Sequence, residues 1–226
     1  MPLHETSLHL CVQMKTIYLF SGLGADERVF KYLKFPGHHI VHIKWITALR
    51  NEPLAAYAKR LLEQVSTEHP ILIGLSFGGI MAIEVSKLIP TEKVIIIASV
   101  KNRNELPFYY RLAGWVSLHK LVPAGLLKYP NRISSWFFGA GSTEEKLMLA
   151  AILKDTDPVF LKWAIDKIVN WDNRIIYDNL VHIHGSADKV LPLKFVTADI
   201  TINNGNHLMT LNKAEDLNRV IAELLR

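Results

Sequence analysis

The amino-acid sequence predicts an α/β fold, a doubly wound, mostly parallel sheet of about six strands. Two observations carry this reading. Short β-rich runs alternate along the chain with stretches of helical period. Several of those runs are continuously apolar, as strands covered on both faces must be. The composition agrees: in 226 residues, 50% are apolar and 21% charged, enough to bury a full core and too apolar for a disordered chain.

The elements follow in order. Met14-Lys15 opens the first apolar run, Thr16-Ile17-Tyr18-Leu19-Phe20, so the domain is expected to begin near Met14, with residues 1–13 as an N-terminal extension. Strands are predicted over 16–21, 39–44, 71–75, 93–98, 180–184 and 198–202. Residues 52–66 place Leu54, Ala58, Leu61, Leu62 and Val65 on one helical stripe, with Glu52 and Pro53 suited to a first turn. Residues 213–225 repeat the pattern with Ala214, Leu217, Val220, Ile221 and Leu224, and Asn212 with Glu215 reads as an N-cap pair. Residues 101–175 break the rhythm. They contain no convincing strand and read as short helices punctuated by Pro107, Pro123, Gly125, Pro130, Gly139, Gly141 and Pro158. Four of the five tryptophans, Trp115, Trp136, Trp163 and Trp171, lie there. The expected organisation is a core of 14–100 and 176–226 with a helical insertion at 101–175.

Charge and cysteine content exclude several classes. Lys and Arg exceed Asp and Glu by 26 to 21, a net charge of +5 without a basic run, so nucleic acid is not an expected partner. One cysteine, Cys11, allows no intrachain disulfide and fits a reducing compartment; a cytoplasmic location is expected. No apolar stretch is long enough to span a membrane, and Leu8-His9-Leu10-Cys11-Val12 is too short and lacks a preceding Lys or Arg for a secretory signal. No phosphate-binding loop or dinucleotide fingerprint appears, so no cofactor is implied.

The sharpest motif is Gly74-Leu75-Ser76-Phe77-Gly78-Gly79, between the strand at 71–75 and a helical run starting at Ile80. A G-x-S-x-G turn in this strand–turn–helix context lifts a serine hydroxyl clear of the sheet, and the helix N-terminus turns backbone N–H groups toward developing negative charge. The plainer alternative is a serine that caps a helix. A serine hydroxyl needs a base, and the base a carboxylate to orient it. Two loops at C-terminal strand ends offer them. His184-Gly185-Ser186-Ala187-Asp188 follows the strand at 180–184, and Gly205-Asn206-His207 follows the strand at 198–202. Active groups of open α/β sheets gather at such ends.

These residues resemble the α/β-hydrolase superfamily over 16–226: Gly22 after the first strand, the Ser76 elbow, the His-Gly-x-x-Asp-x-x-x-Pro loop of Asp188 and the Gly-x-His of His207. The resemblance implies a triad of Ser76, Asp188 and His207, and an oxyanion hole from the backbone N–H groups of Phe77 and Leu23. It implies that 101–175 is a lid over the site. Many relatives have His-Gly where this chain has Ser21-Gly22, and the antiparallel strands that commonly open the fold are missing. A serine nucleophile sets the chain apart from relatives that use aspartate, the epoxide hydrolases and haloalkane dehalogenases.

Other residues compete. His182 and His184 share one strand face; a metal pair has no third ligand in view, and packing is the simpler role. His38, His39 and His42 are expected at the surface or sheet edge. Asp172, Asp178 and Asp199 are rival acids, the last placed within a strand. Asp26 reads as an N-cap for Glu27-Arg28-Val29-Phe30. The aromatics of 101–175 either line an acyl pocket or pack the helices on the sheet. The basic surplus of 101–132, six Lys and Arg against Glu105, is a solvated face, or it steers an anionic substrate or touches lipid. The expected activity is a serine hydrolase acting on a small or medium carboxylic ester with an apolar part, without metal. Acyl transfer, thioester or carbon–carbon hydrolysis, and a non-catalytic ligand receptor of the same fold stay open, as does oligomeric state.

Overall fold

The computed structural model describes residues 14–123, 125 and 128–226. The expected N-terminal extension, with Cys11, lies outside them. Strands β1 (Thr16–Phe20), β2 (His39–Ile43), β3 (Ile71–Leu75), β4 (Lys93–Ile97), β5 (Leu180–Gly185) and β6 (Ile200–Ile202) form one sheet in the order β2-β1-β3-β4-β5-β6. Every pairing is parallel. Each strand sits on a predicted run. Asp199 falls one residue before β6 rather than within a strand, where its carboxylate accepts the His182 N–H and pairs with Lys101 at 3.3 Å.

The sheet's two faces explain the continuous apolar runs. Tyr18, Phe20, Leu72, Val94 and Ile96 face one layer; Ile17, Leu19, Ile73, Ile95 and Ile97 face the other. Both layers are closed by helices, so neither face can be polar. α1 (Leu54–Leu61) buries Leu54, Tyr57, Ala58 and Leu61 against the first face. It stops earlier than the stripe to Val65 predicts, because a tighter turn at Leu62–Gln64 takes over. α2 (Phe77–Ser86) buries every residue but its last, as a helix held between sheet and neighbouring helices must.

From β4 the chain leaves the sheet and returns at β5. Between them lie α3 (Phe108–Trp115), α4 (Arg132–Phe138), α5 (Thr143–Asp155) and α6 (Pro158–Val169), with no strand among the described residues. Local chemistry sets their starts. Ser142 and Glu145 form a capping box, and Asp157 caps α6 ahead of Pro158 at its first turn. The insertion's tryptophans divide. Trp163 and Trp171 are buried, their indole N–H groups donating to the Glu52 carbonyl and the Glu84 carboxylate. Trp115 and Trp136 face solvent.

After β6 come α7 (Met209–Asn212) and α8 (Ala214–Leu224). The predicted Asn212–Glu215 cap does not form. The N-cap position of α8 is Lys213, without a side-chain cap bond. The reason is α7: its backbone runs on, so Lys213 N–H donates to the Met209 carbonyl and the Lys213 carbonyl accepts from Leu217. The Asp26 cap does form, its carboxylate accepting the Arg28 N–H.

Candidate active site

The strand order reverses between β1 and β3, so the loops after these two strands diverge at one crevice, where open α/β sheets place ligands. The loop after β1 carries Gly22 and Leu23; the turn after β3 carries Ser76. Ser76 has φ 54° and ψ −119°, a left-handed conformation that is costly for a side chain, by about 1–3 kcal/mol. Its backbone is held there from two sides. Its N–H donates to the Ile97 carbonyl at 2.9 Å, and its carbonyl accepts the Gly79 N–H and the buried Ser99 hydroxyl at 2.7 Å. The flanking glycines are steric necessities. A Cβ on Gly74 would stand 2.3 Å from the Gly78 carbonyl oxygen, and one on Gly78 would stand 2.1 Å from that of Phe20.

The structure brings the three singled-out side chains into one hydrogen-bonded line. His207 Nε2 lies 2.9 Å from Ser76 Oγ, and His207 Nδ1 lies 2.8 Å from Asp188 Oδ2. The carboxylate accepts at Nδ1, so Nδ1 carries the proton and Nε2 is free to accept the serine O–H. Asp188 and His207 are buried, while Ser76 keeps part of its surface. Asp188 Oδ1 accepts the N–H groups of Val190 and Leu191 at 2.8 and 2.9 Å. Burial raises the Asp188 pKa. The opposing charge and hydrogen bond of His207, with the Leu191 N–H and His184, outweigh it and hold the carboxyl below its ordinary range. The loops carrying this pair interlock: Ala187 N–H donates to the Gly205 carbonyl at 2.8 Å, and a Cβ on Gly185 would meet that oxygen at 2.2 Å.

The departure at Ser21-Gly22 has a local solution. The buried Ser21 hydroxyl donates to the Ala25 carbonyl at 2.7 Å, and Ala25 N–H donates to the Gly22 carbonyl, closing the loop on itself. A Cβ on Gly22 would lie 3.8 Å from Ser76 Cβ, so the loop runs directly beside the serine. Among the described residues, neither the Leu23 nor the Phe77 N–H has a hydrogen-bond partner. The Phe77 ring points away into a cluster with Trp45, Phe160 and Trp163.

The rival residues take other places. His182 Nε2 lies 3.1 Å from His184 Nδ1, and His184 Nε2 lies 2.7 Å from the Leu191 carbonyl, both rings fully buried behind Asp188. Burial, with His184 and Lys101 nearby, pushes the His182 pKa down to about 3; burial also lowers that of His184. His39 and His42 lie on β2, at the sheet edge. Asp172 is a surface partner of Arg103 and Arg174. Sequence reasoning missed Ser99, which has no motif of its own and becomes legible only from its bond to Ser76. It missed Tyr110 too, whose hydroxyl donates to the Val190 carbonyl at 2.9 Å and steadies the Asp188 loop from α3.

No protein-family model and no curated protein matches the chain. Solved structures do. A bromoperoxidase from Bacillus anthracis superposes with a TM-score of 0.70 at 17% identity, covering 94% of this chain and 92% of that one. An esterase from Exiguobacterium antarcticum gives 0.68 at 14%, with 94% and 92% covered. A thermophilic esterase from Thermogutta terrifontis gives 0.66 at 14%, with 94% and 89% covered. The chain has the α/β-hydrolase fold.

Proposed function

We propose that the protein is a serine hydrolase that cleaves a small or medium carboxylic ester with an apolar part through an acyl-enzyme. The observation that carries this reading is the unbroken line Ser76 Oγ–His207–Asp188, with bonds of 2.9 and 2.8 Å. His207 Nε2 takes the Ser76 proton as Oγ attacks the ester carbonyl carbon. Asp188 holds the ring's tautomer and stabilises the imidazolium. The oxyanion accepts from the N–H groups of Phe77 and Leu23, each worth about 3 kcal/mol in comparable sites. His207 then protonates the departing alkoxide. Water, deprotonated by the same nitrogen, attacks the acyl carbon and frees the acid and Ser76.

Residues 101–175 act as the lid on a core of 14–100 and 176–226. In support, the Phe138 ring centroid lies 5.7 Å from that of His207, and Asn206, beside His207, donates to the Gly139 carbonyl at 2.7 Å. The test is a fluorophosphonate probe on the wild type and Ser76→Ala, followed by digestion and location of the adduct. Labelling at Ser76 with ester turnover, both absent from the variant, is expected. A folded wild type that neither labels nor hydrolyses esters sinks the reading.

A further inference from the structure

We propose that the outward face of α3 and α4 is a docking surface for an anionic lipid bilayer. A helix on a water-soluble domain turns its apolar stripe to the core. α3 does the reverse. Phe108, Leu112, Trp115 and Val116 follow the i, i+4, i+7, i+8 stripe, and their exposures are 61, 53, 81 and 51%. The opposite side does the packing: a Cβ on Gly114 would stand 2.7 Å from the Val169 carbonyl oxygen of α6. On α4, Ile133 and Trp136 are 75 and 62% exposed, while Phe137 and Phe138 are half-buried. Single exposed apolar residues are ordinary; six on these two helices, two of them tryptophan, mark a surface that is covered by something.

The charge says what covers it. From 106 to 143 the chain has no Asp or Glu but has Arg111, Lys120, Lys128 and Arg132. Lys120 leans toward Asp166 at 3.6 Å, and Arg132 is exposed. Lys189 Nζ sits 4.1 Å from the Trp136 ring centroid. Exposed tryptophan among lysine and arginine suits the headgroup level of an anionic bilayer, where rings enter the acyl boundary and cations meet phosphates. The contact is peripheral: no helix among the described residues is long and apolar enough to cross a membrane.

The two helices adjoin the loop that follows Asp188. Tyr110 of α3 donates to the Val190 carbonyl, and Lys189 donates to the Trp136 carbonyl of α4 at 3.2 Å.

The experiment is vesicle flotation of the full chain carrying Ser76→Ala, so that turnover plays no part. Binding to phosphatidylcholine vesicles containing phosphatidylglycerol, little binding to phosphatidylcholine alone, and weakening by about 0.5 M salt are expected. Trp115→Ser with Ile133→Ser should lower partition by about tenfold or more at an unchanged thermal midpoint, and Arg132→Glu by about fivefold. No flotation of the folded protein, equal binding to both vesicles, or full binding by the double variant would overturn the proposal. So would a concentration-dependent dimer that the double variant abolishes. Hydrolysis of a water-soluble ester by the wild type is measured apart from vesicles; its absence, with flotation intact, removes the esterase reading and leaves the surface standing.

Discussion

His182 and His184 lie two residues apart on one face of β5, with Nε2 of the first 3.1 Å from Nδ1 of the second. The Leu191 carbonyl can only accept, so His184 Nε2 carries its proton and Nδ1 takes the His182 N–H. The same Leu191 donates its own N–H to Asp188. The two rings therefore brace the loop that aims the carboxylate at His207.

A positioning role for His184 follows. His184→Ala should leave the Leu191 carbonyl and His182 N–H unpaired beside a small cavity, destabilising the fold by about 3 kcal/mol. With a loosened carboxylate, kcat should fall about tenfold while KM stays near its original value. Steady-state kinetics below the melting transition, with denaturant titration, checks both. Unchanged kcat in a destabilised protein would leave His184 a packing residue alone.

Acid should unfold the protein partly through His182. Its folded pKa of about 3 lies below the ordinary 6.5, so the unfolded chain takes the proton first. The stability this withholds is complete above the unfolded value and is lost as pH falls toward the folded one. Between about pH 7.5 and 5.5 the loss is about 1.4 kcal/mol for this residue. His182→Phe should remove that share of the slope, read by urea titration at the two pH values.

The elbow stores strain, and removing the side chain should release it. Ser76→Gly and Ser76→Ala both delete Oγ and should both lower ester hydrolysis by at least about a thousandfold. Glycine tolerates φ 54° and alanine does not. The glycine variant should be the more stable by about 1 kcal/mol, or about 2–4 °C in Tm. Calorimetry of the pair checks the order.

Glycine is needed at 78 for another reason. Gly78→Ala would push a methyl into the backbone of Phe20 and Ser21, with oxygens 2.1 and 2.3 Å away, and should cost about 3 kcal/mol or prevent folding. Gly141→Ala meets only Glu145 Oε2 at 3.7 Å and should change stability by under about 0.5 kcal/mol. Thermal midpoints of the two variants make the comparison.

The strands were legible because both sheet faces are covered, which turns Ile71–Leu75 and Lys93–Ile97 into apolar runs. The Ser76 turn was legible because sterics force its glycines. Asp188 and His207 were legible as loop residues at strand ends, and their meeting depends on contacts nineteen residues apart along the chain. The start of α8 was not legible, since a cap pattern counts only if the preceding backbone is free, and α7 occupies it. Nor was the outward turn of α3. Its stripe has the period of a buried helix, and periodicity records that a face is apolar without recording where it points.

Two sets of contacts hold the site. The Ala187–Gly205 hydrogen bond and the tight Gly185–Gly205 crossing tie the loops of acid and imidazole to each other. Ser76 is tied instead to Ile97 and Ser99, at the end of β4. Thermal motion or a mutation in the sheet between β3 and β5 should then widen or narrow the Ser76–His207 gap while leaving the Asp188–His207 bond intact. The distance such a change would alter first is the 2.9 Å between Ser76 Oγ and His207 Nε2.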